Sequence, residues 1–483
     1  MSHSRGQSKI ACLKMHERLW RAVRARSLMK RSVSQSHAGA NSALALLLLI
    51  NLFNYIDRQV LAAVVGPIRR TFFNQSGGGD SLNSVIHWFQ NQLGFKPEDA
   101  LLGLLGTAFM LIYMIGAPVF ARLAETKSRW AIVAWGVILW SIASGASGLA
   151  PTFLALLLTR CCVGIGEAAY GPVAPAMISD LFPIKTRGRV LAWFYVAIPV
   201  GSALGYILGG WAANSSIGDW AGGLTGMRHE SWRWAFFIVT LPGIALGLRS
   251  FFMREPPRGK SDLSQSLMPA AVPWRDYWLL VRTPSYVLCT LGMAAMTFAI
   301  GGIGFWMPYY LESRPGAPAN STIIFGAITA VAGLGATLLG GIAGDRLRAR
   351  FPGSYFLVSG IAMMVGFPIF LAALRAPFPW AIWLLIFLTC FCLFFNTGPT
   401  NTILANVTHP SIRAAGFALN IFVIHALGDV ISPVVIGFLN DWFGDMNKSF
   451  LVVGLTFLAA GVLWLIGTRY LQRDTELAST RRP

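Results

Sequence analysis

The chain has 483 residues, of which 55% are hydrophobic and only 12% are charged. This composition excludes a soluble protein of two or three domains and is typical of a protein with many membrane spans. The formal net charge of +19 would suit a nucleic-acid partner. A membrane protein that concentrates Lys and Arg on one side explains the charge without such a partner.

Apolar segments of about 20 residues, the length that a membrane helix needs, recur along the chain between Pro, Gly and charge clusters. They predict twelve spans, near residues 42–66, 100–121, 130–150, 153–179, 188–213, 232–253, 285–311, 322–343, 354–375, 379–404, 412–439 and 449–470. Most of the 39 Lys and Arg residues lie on the side of the membrane that holds both termini. The positive-inside rule therefore predicts that both termini are cytoplasmic, and a bacterial inner membrane is the expected location.

Residues 1–41 form a tail rich in Arg, Lys and Ser. Its apolar residues recur at roughly helical spacing among the charges, which favours a helix lying on the inner membrane surface. The same composition suits a transit peptide, or an extension upstream of a true start at Met15 or Met29. These interpretations stay open, as does a basic tail without a specific function.

The first span contains Asn54, Asp57 and Arg58 within the segment NLFNYIDRQVLAAVVGPI. Asn54 and Asp57 are one turn apart, whereas Arg58 points about 100° away from Asp57, so the acid and the arginine need not pair. Local neutralisation near the membrane surface is one explanation of these charges. Because Asp57 lies too deep for its short side chain to reach water, we instead expect a carboxylate that takes up and releases a proton.

Matching charged turns follow the second and the eighth spans. The first, ARLAETKSRW, contains Glu125 and Arg129, and the second, GIAGDRLRAR, contains Asp345 and Arg346. The match indicates an internal repeat of six plus six helices. The expected boundaries are 42–253 for the first bundle, 254–283 for a cytoplasmic linker, 284–472 for the second bundle and 473–483 for a cytoplasmic tail.

The fourth span carries Arg160 and Glu167 in its interior. Seven residues separate them, so on a helix they lie about 10.5 Å apart along the axis and within roughly 20° of the same face. A charge at this depth costs several kcal/mol unless it meets a partner or a water-filled cavity. This ionic face, with Tyr170 shortly after it, predicts the wall of a transport cavity.

The second half offers polar residues in its tenth and eleventh spans. Asn396 belongs to a polar kink that needs neighbours or a cavity to satisfy it. The eleventh span carries Asn420, His425 and Asp429. His425 and Asp429 are four residues apart and can touch on a helix, so they are candidates for a proton relay.

The charged turns resemble the loop signature Gly-x-x-x-Asp-Arg-x-Gly-Arg-Lys of the major facilitator superfamily. The copy with Asp345 and Arg346 matches the start of the signature, whereas the first copy departs from it, with Glu125 in place of Asp and Arg129 kept. The resemblance implies the major facilitator fold, with two pseudo-symmetric six-helix bundles. It also implies that these four residues hold the cytoplasmic gate.

More narrowly, the chain resembles the spinster branch of that superfamily. The resemblance rests on NYIDRQV at 54–60, TRCCVGIGEAAYGPVAPAMISDLFP at 159–183, FYVAIPVGSALGYILGG at 194–210 and WRWAFFIVTLPGI at 232–244. Carried over by position, the acid of the first helix is Asp57, beside Arg58, and the pair of the fourth helix is Arg160 and Glu167. The resemblance implies proton-linked movement of lysophospholipids or sphingoid lipids.

No nucleophile elbow, phosphate loop or metal-spaced cluster occurs in the sequence, so we expect neither an enzyme nor a bound metal or cofactor. The prediction is an all-α membrane protein of twelve helices that works as a monomer, by alternating access. Its expected substrate is an amphipathic anionic lipid that moves with protons. A symporter of small organic anions, a drug exporter and a lipid sensor that does not transport are the alternatives.

Residue roles follow from this hypothesis. The expected proton-coupling residues are Asp57, Glu167, His425 and Asp429. The expected substrate-binding residues are Asn54, Arg58, Arg160, Tyr170, Asn396 and Asn420. Arg160 is expected to bind an anionic head group, or to hold Glu167 ionised until the substrate displaces it.

Overall fold

The computed structural model describes residues 39–74, 80–182, 184–220, 230–256, 274–409 and 412–478. Most of the predicted basic tail, the middle of the predicted linker and the end of the C-terminal tail lie outside the described residues. Nothing in the structure therefore tests the expectations for those segments.

Twelve helices in the described part of the chain are long and apolar enough to cross a membrane, which confirms the predicted fold class. In chain order they are α1 (Gly39–Ala63), α2 (Glu98–Thr126), α3 (Arg129–Leu149), α4 (Phe153–Leu181), α5 (Trp193–Asn214), α6 (Ser231–Phe251), α7 (Pro284–Glu312), α8 (Ser321–Arg348), α9 (Ser354–Arg375), α10 (Pro379–Val407), α11 (Ala415–Phe443) and α12 (Met446–Gly467). Shorter helices comprise Val65–Arg69, Arg70–Asn74, Asp80–Leu93, Trp274–Val281 and Leu471–Leu477.

Glycines set the distance between α5 and α1. A Cβ atom at Gly201 would lie 2.8 Å from the carbonyl oxygen of Leu52, and one at Gly205 would lie 2.5 Å from that of Ile56. Only a residue without a side chain allows the two backbones to approach this closely. These two glycines of α5 therefore allow tight helix packing, and they fix α1, which carries Asp57 and Arg58, against α5.

The two halves of the molecule meet at the end of the bundle that lies opposite the short helix Leu471–Leu477. The hydroxyl of Tyr206 in α5 donates to the carbonyl oxygen of Gly304 in α7 at 2.6 Å. Nearer the end of α5, Asn214 Nδ2 donates to the carbonyl oxygen of Ala319, just before α8, at 2.8 Å. The helices that join the halves thus close this end of the molecule.

The eleventh helix departs from regular α-helix at His425–Asp429, where it forms one π-helical turn. Gly428 has φ −110° and ψ −107°, outside the helical region, and the Val430 N–H donates to the carbonyl oxygen of His425 at 3.2 Å. Such bulges often occur at functional sites, because they turn side chains away from the regular helical positions. Here the bulge bears the predicted histidine and aspartate pair.

Candidate functional site

A central cavity of about 300 Å³ lies between the two halves. Arg58 of α1 and Arg160 of α4 line it from the first half, and His425 and Asp429 of α11 line it from the second half. Most of the remaining wall is apolar or aromatic; it includes Phe109, Tyr206, Ile300, Phe305, Phe325 and Phe394. Charged groups of both signs therefore face a largely apolar space.

Arg58 and Glu167 form an ion pair between α1 and α4. Arg58 Nε donates to Glu167 Oε2 at 2.6 Å, and the Glu167 side chain is 0% exposed. The carboxylate lies beyond the reach of water, so its charge depends on this guanidinium. The Arg58 side chain therefore forms an ion pair with Glu167 and also lines the cavity.

Arg160 lies beside Asp57 and not beside Glu167. Arg160 Nη2 is 3.6 Å from Asp57 Oδ2, which is an ion pair at longer range than a hydrogen bond. The hydroxyl of Ser144 in α3 donates to Asp57 Oδ1. The expectation that Arg160 holds Glu167 ionised is therefore corrected. Each ion pair joins α1 to α4: Glu167 of α4 pairs with Arg58 of α1, and Arg160 of α4 pairs with Asp57 of α1.

Several polar atoms of this cluster are buried without a hydrogen-bond partner among the described residues. They are Asn54 Nδ2, Asp57 Oδ2, Arg160 Nε, Arg160 Nη1 and Glu167 Oε1. Each carboxyl group therefore has one oxygen free to carry a proton, and Arg160 has two unused donors. Unpaired buried polar groups are costly, so a cluster that keeps five of them has the features of a binding or proton-transfer site.

Aromatic rings surround Arg58. Its guanidinium carbon lies 5.1 Å from the ring centroid of Tyr55, 5.2 Å from that of Phe109 and 4.9 Å from that of Tyr113. The negative faces of such rings stabilise a cation that has lost its water. These rings and the Glu167 carboxylate together stabilise the buried charge of Arg58.

On the opposite wall, His425 and Asp429 touch as predicted. Nδ1 of His425 is 2.8 Å from Oδ1 of Asp429, and both side chains are partly accessible. The contact confirms the predicted pairing, whereas a role in proton transfer remains a prediction. The pair lies across the cavity from Arg58, so the second half contributes its own titratable group to the site.

Four predicted substrate-binding residues, Asn54, Tyr170, Asn396 and Asn420, do not line the central cavity in the described part of the chain. The Tyr170 hydroxyl donates to the carbonyl oxygen of Leu47 at 2.6 Å and joins α4 to α1. Asn396 Nδ2 donates to the carbonyl oxygen of Leu393 at 2.7 Å, within its own kinked helix. Substrate contact by these four residues remains a prediction.

Two of the predicted gate residues, Arg129 and Asp345, form hydrogen bonds or ion pairs near the charged turns. Arg129 joins α3 to α4 and to the segment that follows α6: Nη1 contacts Asp180 Oδ2 at 2.5 Å and Nε contacts Glu255 Oε1 at 2.9 Å. In the second half, Asp345 accepts a hydrogen bond from the Tyr355 hydroxyl at 2.8 Å. Glu125 and Arg346 are exposed. The gating role of these residues remains a prediction.

Sequence reasoning missed Ser144 and Glu255. Ser144 belongs to a run of small residues in α3, SIASGASG, in which serines recur every three residues and share one face. Polar residues on one face of a membrane helix indicate a buried partner, and here the partner is Asp57. Glu255 stands just after α6, and nothing in the sequence near it pointed to Arg129.

Glu255 yields a prediction about pH. Partial burial raises the pKa of Glu255, but hydrogen bonds from Arg129 and Ser128 outweigh this effect, so the pKa lies below its ordinary value of 4.5. The stability that this carboxylate contributes is therefore present above its ordinary pKa and is lost as the pH falls through the lowered pKa. We expect Glu255→Gln to lower the Tm at neutral pH and to leave it unchanged in acid below that pKa. An equal loss of Tm at both pH values would contradict the ion pair.

Two six-helix halves around a shared central cavity define a membrane transporter. The family model described as Major Facilitator Superfamily matches residues 47–433. The chain is 35% identical to protein spinster homolog 1 of Homo sapiens over 82% of this chain and 72% of that protein. The chain belongs to the spinster family of the major facilitator superfamily, as an integral, multi-pass membrane protein.

Other relatives agree with this assignment. Protein spinster homolog 3 of Danio rerio is 32% identical over 90% of this chain and 86% of the relative. The sphingosine-1-phosphate transporter SPNS2 of Mus musculus is 32% identical, over 88% of this chain and 75% of the relative. The second of these relatives is named as a transporter, and the chain is not an enzyme.

A solved structure has the same fold. It is a crystal structure of a bacterial homolog to the human lysosomal transporter Spinster, in an inward-facing and unoccupied conformation. The TM-score is 0.73 at 24% identity, over 92% of this chain and 98% of that chain. At this identity the likeness supports the fold alone.

Proposed function

We propose that the protein is a proton-coupled secondary transporter that moves an amphipathic anionic lipid, such as a lysophospholipid or a sphingoid lipid, by alternating access. The observation that carries the proposal is the cavity itself, where buried Arg160, which has two unused donors, lines a space walled by aromatic and aliphatic side chains. An anionic head group would take these donors, and an acyl chain would lie along the apolar wall. The name of one relative, the sphingosine-1-phosphate transporter SPNS2 of Mus musculus, supports a lipid substrate.

Proton coupling is proposed from the crossed ion pairs. Asp57 and Glu167 each have one carboxyl oxygen without a hydrogen-bond partner, so each can accept a proton without losing a hydrogen bond. In Asp57 that oxygen, Oδ2, is the one that faces Arg160 Nη2 at 3.6 Å. A substrate anion that binds Arg160 competes with Asp57 for the guanidinium. Asp57 then becomes easier to protonate, because a carboxylate that loses its cation favours the neutral form. Substrate binding and proton uptake are linked in this way.

The proposed state of the structure is inward-facing. With both termini cytoplasmic, as the excess of positive charge on that side favours, the closed end of the bundle faces outward. The gate residues Arg129 and Asp345 then lie at the open, cytoplasmic side, where each contacts only groups of its own half among the described residues. In the outward-facing state, we expect these turns to approach each other.

A binding panel tests the substrate. The purified protein is heated with lysophospholipids, sphingoid lipids or small organic acids, and a ligand that binds the folded state raises the Tm by mass action. We expect lysolipids to raise the Tm and Arg160→Gln to abolish the shift. The matched control is Arg375→Gln, which removes an exposed arginine at the end of α9, away from the cavity and the gate. A shift that survives in Arg160→Gln would contradict the proposed head-group site.

One observation favours a second candidate, a symporter of small organic anions. The cavity volume of about 300 Å³ is at the low end for ligand pockets, which suits a compact solute. In the same panel, Tm shifts from short-chain acids without shifts from lysolipids would select this candidate. Binding of lysolipids without any flux across vesicles would instead select a lipid sensor.

A further inference from the structure

The start of α2 depends on the opposite half of the molecule for its cap. The helix begins after Pro97, whose side chain offers no hydrogen-bond acceptor to the first N–H groups. Asp441, near the end of α11, supplies the missing acceptors. Its Oδ1 accepts from the N–H of Asp99 at 3.0 Å, and its Oδ2 accepts from the N–H of Ala100 at 2.8 Å.

The side chain of Asp99 strengthens this junction. It accepts hydrogen bonds from Asn440 Nδ2 of α11 and from Arg69 Nε, the latter at 3.0 Å. Arg69 also contacts Glu98 Oε2 at 2.8 Å. Neighbouring residues of α11, Asn440 and Asp441, therefore hold one residue of α2 by its side chain and by its backbone.

The backbones at this junction touch. A Cβ atom at Gly437 of α11 would collide with the carbonyl oxygen of Asp99. A Cβ atom at Gly103 of α2 would likewise collide with the carbonyl oxygen of Pro433. The cap is therefore made only while α2 and α11 are pressed together. Separation of the halves at this end would break both backbone hydrogen bonds to Asp441 at once.

We propose that Asp441 is a latch, an N-cap supplied by one half of the transporter to a helix of the other, which keeps this end of the cavity closed. A carboxylate at a helix N-terminus gains from charge-assisted hydrogen bonds and from the helix dipole, and both gains are lost on opening. The latch rests on the proposed alternating access and adds to it a named contact that opening must break.

The test measures the distance between the two halves at this end. Leu149, at the end of α3, and Phe378, between α9 and α10, are exposed positions of the two halves. Each is replaced by a spin-labelled cysteine, after removal of the six native cysteines. Distance distributions by pulsed electron paramagnetic resonance are compared for the parent, Asp441→Asn, Asp441→Ala and Gly437→Ala. Asp445→Asn is the matched control, because Asp445 caps α12 within its own half by accepting from Asn447 N–H.

We expect both Asp441 variants to enlarge the longer-distance component about tenfold, the order that loss of charged hydrogen bonds produces. Gly437→Ala, which places a methyl group between α2 and α11, is also expected to enlarge the longer-distance component. Asp445→Asn is expected to leave that component unchanged. Asp441 variants that match the control would overturn the latch. If acid or lysolipid still lengthens the distance in the parent, alternating access stands and only the latch fails. If no condition and no variant lengthens it, both proposals fail.

Discussion

Replacement of Arg58 by glutamine is expected to destabilise the protein by about 3–5 kcal/mol, the cost of leaving one charge of a buried pair alone. Glu167 is fully buried and forms a close ion pair, at 2.6 Å, with Arg58. The double variant Arg58→Gln/Glu167→Gln should recover most of this loss, because neither charge then remains. Transport should be lost in both. Unfolding of the purified protein in detergent, followed by circular dichroism, measures the difference.

The exposed arginine Arg346 provides the control for this comparison of the single and double variants. Arg346→Gln removes the same charge from a position that is not buried, so its effect on stability should lie within about 0.5 kcal/mol. A double variant as unstable as Arg58→Gln alone would show that the two charges do not act as a pair. Equal losses in Arg58→Gln and Arg346→Gln would contradict the importance of burial.

Asp57→Asn is expected to remove the pH dependence of transport while the protein still folds. An asparagine Oδ1 can accept the hydrogen bond from Ser144 as the carboxylate does, but the side chain can no longer carry a proton. Uptake into proteoliposomes should then be the same at about pH 5.5 and about pH 7.5, a range in which only a shifted carboxyl or a histidine titrates.

Asp219→Asn is the matched control for this experiment, since Asp219 is an exposed carboxylate beyond the end of α5 and away from the cavity and the gate. It should keep the pH response of the parent protein. An unchanged pH response in Asp57→Asn would remove Asp57 from the mechanism. The same assay with His425→Gln then asks whether the histidine and aspartate pair of α11 carries the proton instead.

The fold was predictable from sequence because membrane spans are read from hydropathy and length alone. The four charges of the buried cluster were also found, because a charge inside an apolar span is rare and expensive. Their partners were not. Spacing placed Arg160 and Glu167 on one helix face, but which cation meets which carboxylate depends on how α1 and α4 pack, and a single sequence does not contain that information.

The contact between α2 and α11 was also not predictable from the sequence. Asp441 and Asn440 stand at the end of an apolar span, where polar residues usually mark only the membrane surface. Their contact with Asp99 joins residues more than 300 positions apart and follows from the docking of two bundles. Similarly, Asn396 and Tyr170 looked like cavity residues by polarity, yet their hydrogen bonds are structural, because polarity within a span does not tell which neighbour satisfies it.

Coupled proton movement is the most direct test of the proposed function. The protein is reconstituted into vesicles that contain a pH-sensitive dye, and a lysolipid gradient is imposed without any pH gradient. We predict that the parent protein moves protons as the lipid crosses, and that Asp57→Asn does not. Lysolipid transport by the parent protein without proton movement would contradict the proposed proton coupling.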